Sequence, residues 1–107
     1  MESRKERAAR NEALFREVNE RIKHATLSEP EERLTLLCEC GDVDCAQVVE
    51  LPLADYDGVR KEGEHFFLIE GHEDSAIERV IERKGGLVVV EKVGESADIA
   101  RDLDPRS

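Results

Sequence analysis

The cysteines of the chain, Cys38, Cys40 and Cys45, all lie within eight residues, in the stretch LLCECGDVDC. Three is an odd number, which suits no closed disulfide framework, and tightly clustered thiols are typical of a metal site. Sulfur ligands favour a soft metal with tetrahedral coordination, which indicates zinc first and copper(I) or an iron–sulfur centre second. The spacing C-x-C-x4-C therefore predicts one structural zinc per chain, with packed or free cysteines as the alternative interpretation.

Acidic residues within this stretch strengthen the metal interpretation. They are Glu39, Asp42 and Asp44. Negative neighbours raise the pKa of a thiol and weaken it as a nucleophile. A divalent cation removes this difficulty, because it holds the sulfurs as thiolates and offsets the local charge. We expect the chain to turn near Glu39 so that the sulfurs converge, with Gly41 supplying a permissive backbone.

His72 is the residue that we favour as the fourth ligand, because a structural zinc takes four. It follows Gly71 in a predicted loop just past an apolar strand, where its side chain has no packing role. If the strand over 65–70 lies beside the strand over 33–38, the His72 side chain can reach the cysteine loop. The alternatives that stay open for the fourth position are His65, Asp42, Asp44 and water.

A helix is predicted over residues 4–25, because this segment has no Gly or Pro and is rich in Ala, Glu, Arg and Leu. It ends over 26–30, since Pro30 disfavours helical geometry at the residue before it. His24, near its end, is predicted to face solvent. Five apolar residues and Asn11 recur every three or four residues and form a narrow stripe of Ala8, Asn11, Phe15, Val18, Ile22 and Ala25.

The stripe has two interpretations. It packs on the core of its own chain, or it pairs with a second copy in a homodimer through Phe15, Val18 and Ile22. Two to three heptads are too short to make a convincing coiled coil alone.

The remaining segments predict an α+β domain with a mostly antiparallel sheet. Strands are expected over 33–38 and 46–51, joined as a hairpin by the cysteine loop, and over 65–70, 77–83 and 87–92. The Lys-Gly-Gly turn between the last two predicts a second hairpin, although 77–80 could also be helical. A short helix is expected over 53–62. The whole chain, 1–107, is predicted to be one domain: an N-terminal helix over 1–26, an α+β core over 33–93 and a short helix or tail over 94–107.

The charge distribution argues against several classes of function. The net charge is −10; residues 1–26 carry seven basic and five acidic side chains, and the rest of the chain is strongly acidic. Such a body repels phosphates and anionic membranes, so binding of nucleic acid is not expected. No segment approaches the roughly 18–20 apolar residues that span a bilayer. Clustered reduced thiols indicate the cytoplasm.

The chain resembles a group of small uncharacterised bacterial proteins, mainly from high-GC Gram-positive species. The resemblance covers most of the chain and is carried by NEALFREVNERI, CECGDVDC, LADYDGVR, the strand leading to GHE, and VVVEK. Glu70 stands where the pattern of that group has a proline. What the resemblance implies is a metal site of three cysteines and one histidine, at Cys38, Cys40, Cys45 and His72. It implies no function.

Three functions are compatible with these residues. We favour a small zinc-stabilised interaction or regulatory domain that works through contacts with a protein partner. A thiol-based redox or metal sensor that releases zinc on oxidation is the alternative. A zinc hydrolase is the least favoured, because the chain has no Gly-rich phosphate loop and no recognisable order of Ser, His and Asp.

Overall fold

The structure is a computed structural model of the 107-residue chain, described over residues 3–26, 29, 31–45 and 47–106. Its elements follow in the order α1 (Arg4–Ala25), β1 (Arg33–Leu37), β2 (Val48–Pro52), α2 (Leu53–Val59), β3 (His65–Ile69), β4 (Glu78–Lys84), β5 (Leu87–Lys92) and α3 (Gly94–Asp102). This order confirms the predicted α+β class. Predictions for residues 1, 2, 27, 28, 30, 46 and 107 lie outside the described residues.

Helix α1 begins and ends where the sequence predicts. The Ser3 hydroxyl accepts a hydrogen bond from the Glu6 backbone N–H at 3.1 Å, which satisfies one of the free donors of the first turn. At the other end, the Thr26 hydroxyl donates to the Ile22 carbonyl at 2.9 Å. His24 is exposed, as expected. Within the described parts of the chain, no helix combines the length and the apolar character needed to cross a membrane.

The core-facing side of α1 differs from the predicted apolar stripe. The fully or largely buried residues of the helix are Ala8, Ala9, Glu12, Ala13, Arg16, Asn19 and Glu20. Of the stripe, Ala8 is buried, whereas Phe15, Val18 and Ile22 are half-buried at the margin of the interface. Helix α1 therefore docks mainly through polar and charged side chains. Pairing of the stripe with a second copy stays a prediction.

Buried charged side chains hold α1 at Glu12, Arg16 and Glu20. Lys92 lies between Glu12 and Glu78, and all three side chains are almost fully excluded from solvent. Burial raises the pKa of Glu12, and its interaction with Glu78 acts in the same direction. The Arg16 guanidinium donates to the Ala100 carbonyl at 2.7 Å and lies 4.3 Å from the centre of the Phe66 ring. Charged groups buried in this way must be paired, because an unpaired buried charge is strongly destabilising.

The strands form two antiparallel sheets where the sequence suggested one. Strands β1 and β2 pair with each other, and β5 lies between β3 and β4 in a three-stranded sheet. The β4–β5 turn has positive φ at both Gly85 and Gly86, as the commonest two-residue hairpin requires. The helical alternative over 77–80 is wrong, since β4 begins at Glu78. Helix α2 ends earlier than predicted, at Val59.

The two sheets meet at the cysteine loop. The Glu39 N–H donates to the Phe67 carbonyl at 3.2 Å, so the chain just past β1 runs beside β3. Cys38 and Cys40 thereby pack on the inner face of the three-stranded sheet, together with Phe66, Leu68, Val88, Val90 and Ala100. A second cluster of Leu34, Leu36, Tyr56 and Phe67 joins β1, α2 and β3. The segment that carries the thiols is thus at the centre of the fold.

Candidate metal centre

The cysteine loop brings its sulfurs together by alternation rather than by a turn at Glu39. Side chains two residues apart in an extended chain point to the same side. Cys38 and Cys40 therefore both face the sheet, and Glu39 points the other way, towards α1. The turn comes later, where the Cys45 N–H donates to the Asp42 carbonyl at 3.0 Å. The prediction of a turn near Glu39 is wrong for this reason.

Asp42 stabilises the later turn. Its carboxylate accepts a hydrogen bond from the Asp44 N–H at 2.9 Å, which is the local bond that makes aspartate a turn former. This turn reverses the chain and directs Cys45 back towards Cys38.

Glycine is required at position 41 because there is no room for a side chain, and not because of its backbone conformation. It does not adopt a positive φ. A Cβ atom at this position would lie 2.9 Å from the Ala8 Cβ and 3.1 Å from the Ala8 carbonyl oxygen. The loop and α1 therefore make their closest contact at Gly41, and any side chain there would displace the helix.

Gly41→Ala should lower the free energy of unfolding by about 1–3 kcal/mol, as overpacking of a well-packed interface does. Urea denaturation would measure it. Gly58→Ala in α2 is the matched control, because a Cβ there meets nothing within 4 Å; alanine at that helical position should be neutral or stabilising by up to about 1 kcal/mol. Equal effects of the two substitutions would contradict the close contact between Gly41 and Ala8.

His72 is placed by a tight turn at the end of β3. Its N–H donates to the Ile69 carbonyl at 2.9 Å, and Gly71, the third residue of this turn, has a φ of 95°. Only glycine adopts that conformation readily. The turn folds the chain back so that the His72 ring lies over the cysteine loop. Glu70, the residue that stands in place of proline, uses its N–H to bond the Gly86 carbonyl at 2.9 Å.

The four favoured side chains come together in the structure. One donor atom from each of Cys38, Cys40, Cys45 and His72 lies within 4.8 Å of the others. The His72 Nδ1 atom is 3.6 Å from the Cys38 Sγ and 3.7 Å from the Cys45 Sγ. A tetrahedral zinc with ordinary bond lengths to sulfur and nitrogen separates such atoms by about 3.6 Å. The arrangement therefore fits a metal of this size.

Burial controls the ionisation of the thiols. It raises the pKa of both Cys38 and Cys40, since a charged thiolate loses more solvation free energy than a neutral thiol when water is removed. The Ile69 N–H donates to the Cys38 Sγ at 3.3 Å and acts in the opposite direction. Sulfurs held as neutral thiols become metal ligands only when a cation displaces their protons. Burial thus favours the neutral thiol form of Cys38 and Cys40 in the absence of a cation.

The other candidates for the fourth position lie elsewhere or are engaged differently. His65 faces the opposite side of β3, and its Nε2 atom is 3.1 Å from a Glu91 carboxylate oxygen. Asp44 is exposed, and the Asp42 carboxylate is hydrogen-bonded within its own turn.

Two concave surfaces border these residues. One is a polar cleft of about 300 Å³ beside His72; the other, a groove of about 620 Å³ that contains His65, includes none of the four donors.

The roles of two residues at the cysteine loop, Glu39 within it and Asn19 on α1, were not predicted from the sequence. Glu39 is fully buried; its carboxylate accepts hydrogen bonds from the Asn19 side chain at 2.9 Å and the Phe67 N–H at 3.4 Å. Burial raises its pKa to about 7. Alternation around Cys38 and Cys40 could have shown that Glu39 faces away from the sulfurs. Nothing in the sequence marks Asn19, because a single asparagine within a charged helix is usually solvent-exposed.

Comparisons of the chain with known protein families, with characterised proteins and with solved structures find no match. The resemblance to a group of small bacterial proteins stays a prediction. The class that the fold and the site define is an α+β domain with a group of three cysteines and one histidine that could hold a metal ion.

Proposed function

We propose that the chain is a small zinc-binding domain, in which one zinc per chain stabilises the fold and the surface serves contacts with a protein partner. The observation that carries the proposal is the convergence of four donor atoms, from Cys38, Cys40, Cys45 and His72, within 4.8 Å of one another. A donor set of three sulfur atoms and one imidazole nitrogen binds zinc in preference to harder cations.

The composition of the site supports a structural role for the metal. Four protein ligands close a tetrahedral zinc, whereas a catalytic zinc keeps one position for water or substrate. Cys38 and Cys40 are each only 1% exposed and form part of the hydrophobic core. A metal held there would join the end of β1, the cysteine loop and the turn after β3. Small domains bury little apolar area and commonly need such a link.

Native mass spectrometry of the untagged chain, purified without chelator, tests the proposal. We expect one zinc per chain in the wild type and loss of that zinc in His72→Ala, since three ligands leave the site open. His24→Ala is the matched control, because His24 is exposed on α1, and it should retain the metal. A metal-free wild type with three titratable thiols would overturn the proposal. The same spectrum gives the number of subunits and so tests the predicted homodimer.

A thiol-based sensor is the second candidate, and the exposure of Cys45 favours it. Cys45 is half-buried at the edge of the loop, so an oxidant can reach its sulfur first. Peroxide would accept two electrons from two ligand thiolates and, with two protons from solvent, be reduced to two water molecules, as the thiolates form one disulfide and the zinc leaves. Stoichiometric zinc release at peroxide doses that spare ordinary structural zinc sites would favour the sensor. Retention of the zinc at those doses would leave the purely structural role.

A further inference from the structure

Helix α1 rests on the segment that carries the proposed ligands. The Asn19 side chain spans both backbone groups of Leu37, accepting from its N–H at 2.8 Å and donating to its carbonyl at 2.9 Å. The Asn11 side chain donates to the Gly41 carbonyl at 3.1 Å. Ala8 packs directly against Gly41. Residues 37–41 thus form the segment on which α1 packs, and they include two of the four proposed metal ligands.

Glu39 connects this segment to the metal site. It lies between Cys38 and Cys40 in the chain, and its carboxylate accepts a hydrogen bond from Asn19 at 2.9 Å. A metal bound to the two flanking sulfurs would fix the backbone on both sides of Glu39. The same constraint fixes the carboxylate that α1 contacts. Apart from the metal, residues 37–41 are held by the pairing of Leu37 with Val48, by the Cys38 N–H bond to the Gln47 carbonyl, and by hydrogen bonds with Phe67 and Ile69.

The buried face of α1 is also unusually polar. Its apolar members are three alanines, whereas Glu12, Arg16, Asn19 and Glu20 are charged or polar. Buried ion pairs contribute little net stability, because desolvation offsets most of their attraction. Within the described part of the chain, the Glu12 Oε2 and the Arg16 Nε atoms have no hydrogen-bond partner. Releasing such a face to water costs less than releasing an apolar one.

The three-stranded sheet has an apolar core of its own, although Glu12 and Arg16 of α1 contact Lys92 and Phe66 on it. Its strands pair with one another along their whole length. On its inner face, Phe66, Leu68, Val88 and Val90 pack with Ala100 of α3 and with Cys38 and Cys40. This part of the fold has the apolar core that α1 lacks.

We propose that metal controls the docking of α1: loss of the metal from Cys38, Cys40, Cys45 and His72 releases α1 from residues 37–41 while the three-stranded sheet stays folded. The inference rests on the proposed metal site and adds a regulatory consequence to it. Binding energy at the site is transmitted through Glu39 and Asn19 to a helix whose buried face has few apolar side chains. Release would also free Phe15, Val18 and Ile22, which are half-buried when the helix is docked.

Amide hydrogen exchange on the full chain, read by mass spectrometry with and without zinc under reducing conditions, tests the inference. After chelation we expect exchange in Arg4–Ala25 to accelerate by at least about tenfold, while Leu87–Lys92 stays within about threefold of its zinc-bound rate. Loss of protection in both segments together would overturn it, as would unchanged protection in α1. Zinc content is measured on the same samples, so a wild type that never binds zinc would instead refute the proposed metal site.

A variant separates the coupling from the metal itself. Asn19→Ala should retain one zinc per chain but show faster exchange in α1, because the contact between the helix and the loop is removed. Alanine favours helix more than asparagine does, so lower protection could not come from helix propensity. Leu14→Ala is the control; Leu14 is 52% exposed on the same helix and should leave both zinc content and exchange unchanged. Wild-type exchange in zinc-bound Asn19→Ala would contradict the coupling.

Discussion

Cys38→Ser should lower the free energy of unfolding, in the presence of zinc, by about 4 kcal/mol or more. A ligand that binds only the folded state stabilises it by about this amount when its free concentration is a thousandfold above Kd. Cys38 is buried, and its sulfur lies 3.6 Å from the His72 Nδ1, so the serine removes a ligand from the centre of the proposed site. Urea denaturation at fixed free zinc would measure the loss.

The chelator arm of this experiment isolates the contribution of the metal. With excess chelator, the difference between wild type and Cys38→Ser should fall to about 1 kcal/mol, the cost of burying a hydroxyl with an imperfect partner. A difference that is the same with and without zinc would show that Cys38 acts through packing alone. Cysteine often does so, since it behaves as a small buried hydrophobe.

Lys92→Met should lower the free energy of unfolding by about 3–5 kcal/mol, because it leaves two buried carboxylates without their cation. Lys92 contacts both Glu12 and Glu78, and the distance from its Nζ to the Glu78 Oε1 is 2.8 Å. Lys61→Met is the matched control. Lys61 is exposed, and its replacement should change the stability by less than about 0.5 kcal/mol.

The destabilisation by Lys92→Met should depend on pH. Burial already raises the pKa of Glu12, and removing Lys92 raises it further. An acid whose pKa is higher in the folded than in the unfolded state favours folding below its unfolded pKa and loses that contribution as the pH rises. The deficit should therefore be smaller at pH 5 than at pH 8. The triple variant Glu12→Gln, Glu78→Gln, Lys92→Met should recover part of the stability; a triple no better than Lys92→Met would refute the ion network.

The parts of the fold that local signals specify could be predicted from the sequence. Helix α1 carries good helix formers and a serine cap, and its predicted bounds agree with the structure. The β4–β5 hairpin follows from two glycines that permit positive φ. His72 could be placed near the cysteines because a glycine before it and an apolar strand upstream fix the turn. These features depend on neighbouring residues in the chain.

The orientation of α1 could not be predicted in the same way. Glu12, Arg16 and Glu20 recur every four residues, which is the usual pattern of a solvated helix face with ion pairs. Their burial depends on partners distant in sequence, such as Lys92 for Glu12 and Tyr56 for Glu20. The apolar stripe of Phe15, Val18 and Ile22 therefore lies at the margin of the buried face and not at its centre. The division into two sheets also depends on long-range pairing that alternation alone does not specify.

X-ray absorption at the zinc K edge, on the metal-loaded full chain, tests the central claim most directly. The proposed site predicts a first shell of three sulfurs at about 2.3 Å and one nitrogen at about 2.0–2.1 Å. His72→Ala should lose its zinc on purification; where excess zinc is added to refill the weakened site, the nitrogen contribution should be replaced by oxygen from solvent. A first shell of nitrogen and oxygen alone in the wild type would contradict a centre built from Cys38, Cys40, Cys45 and His72.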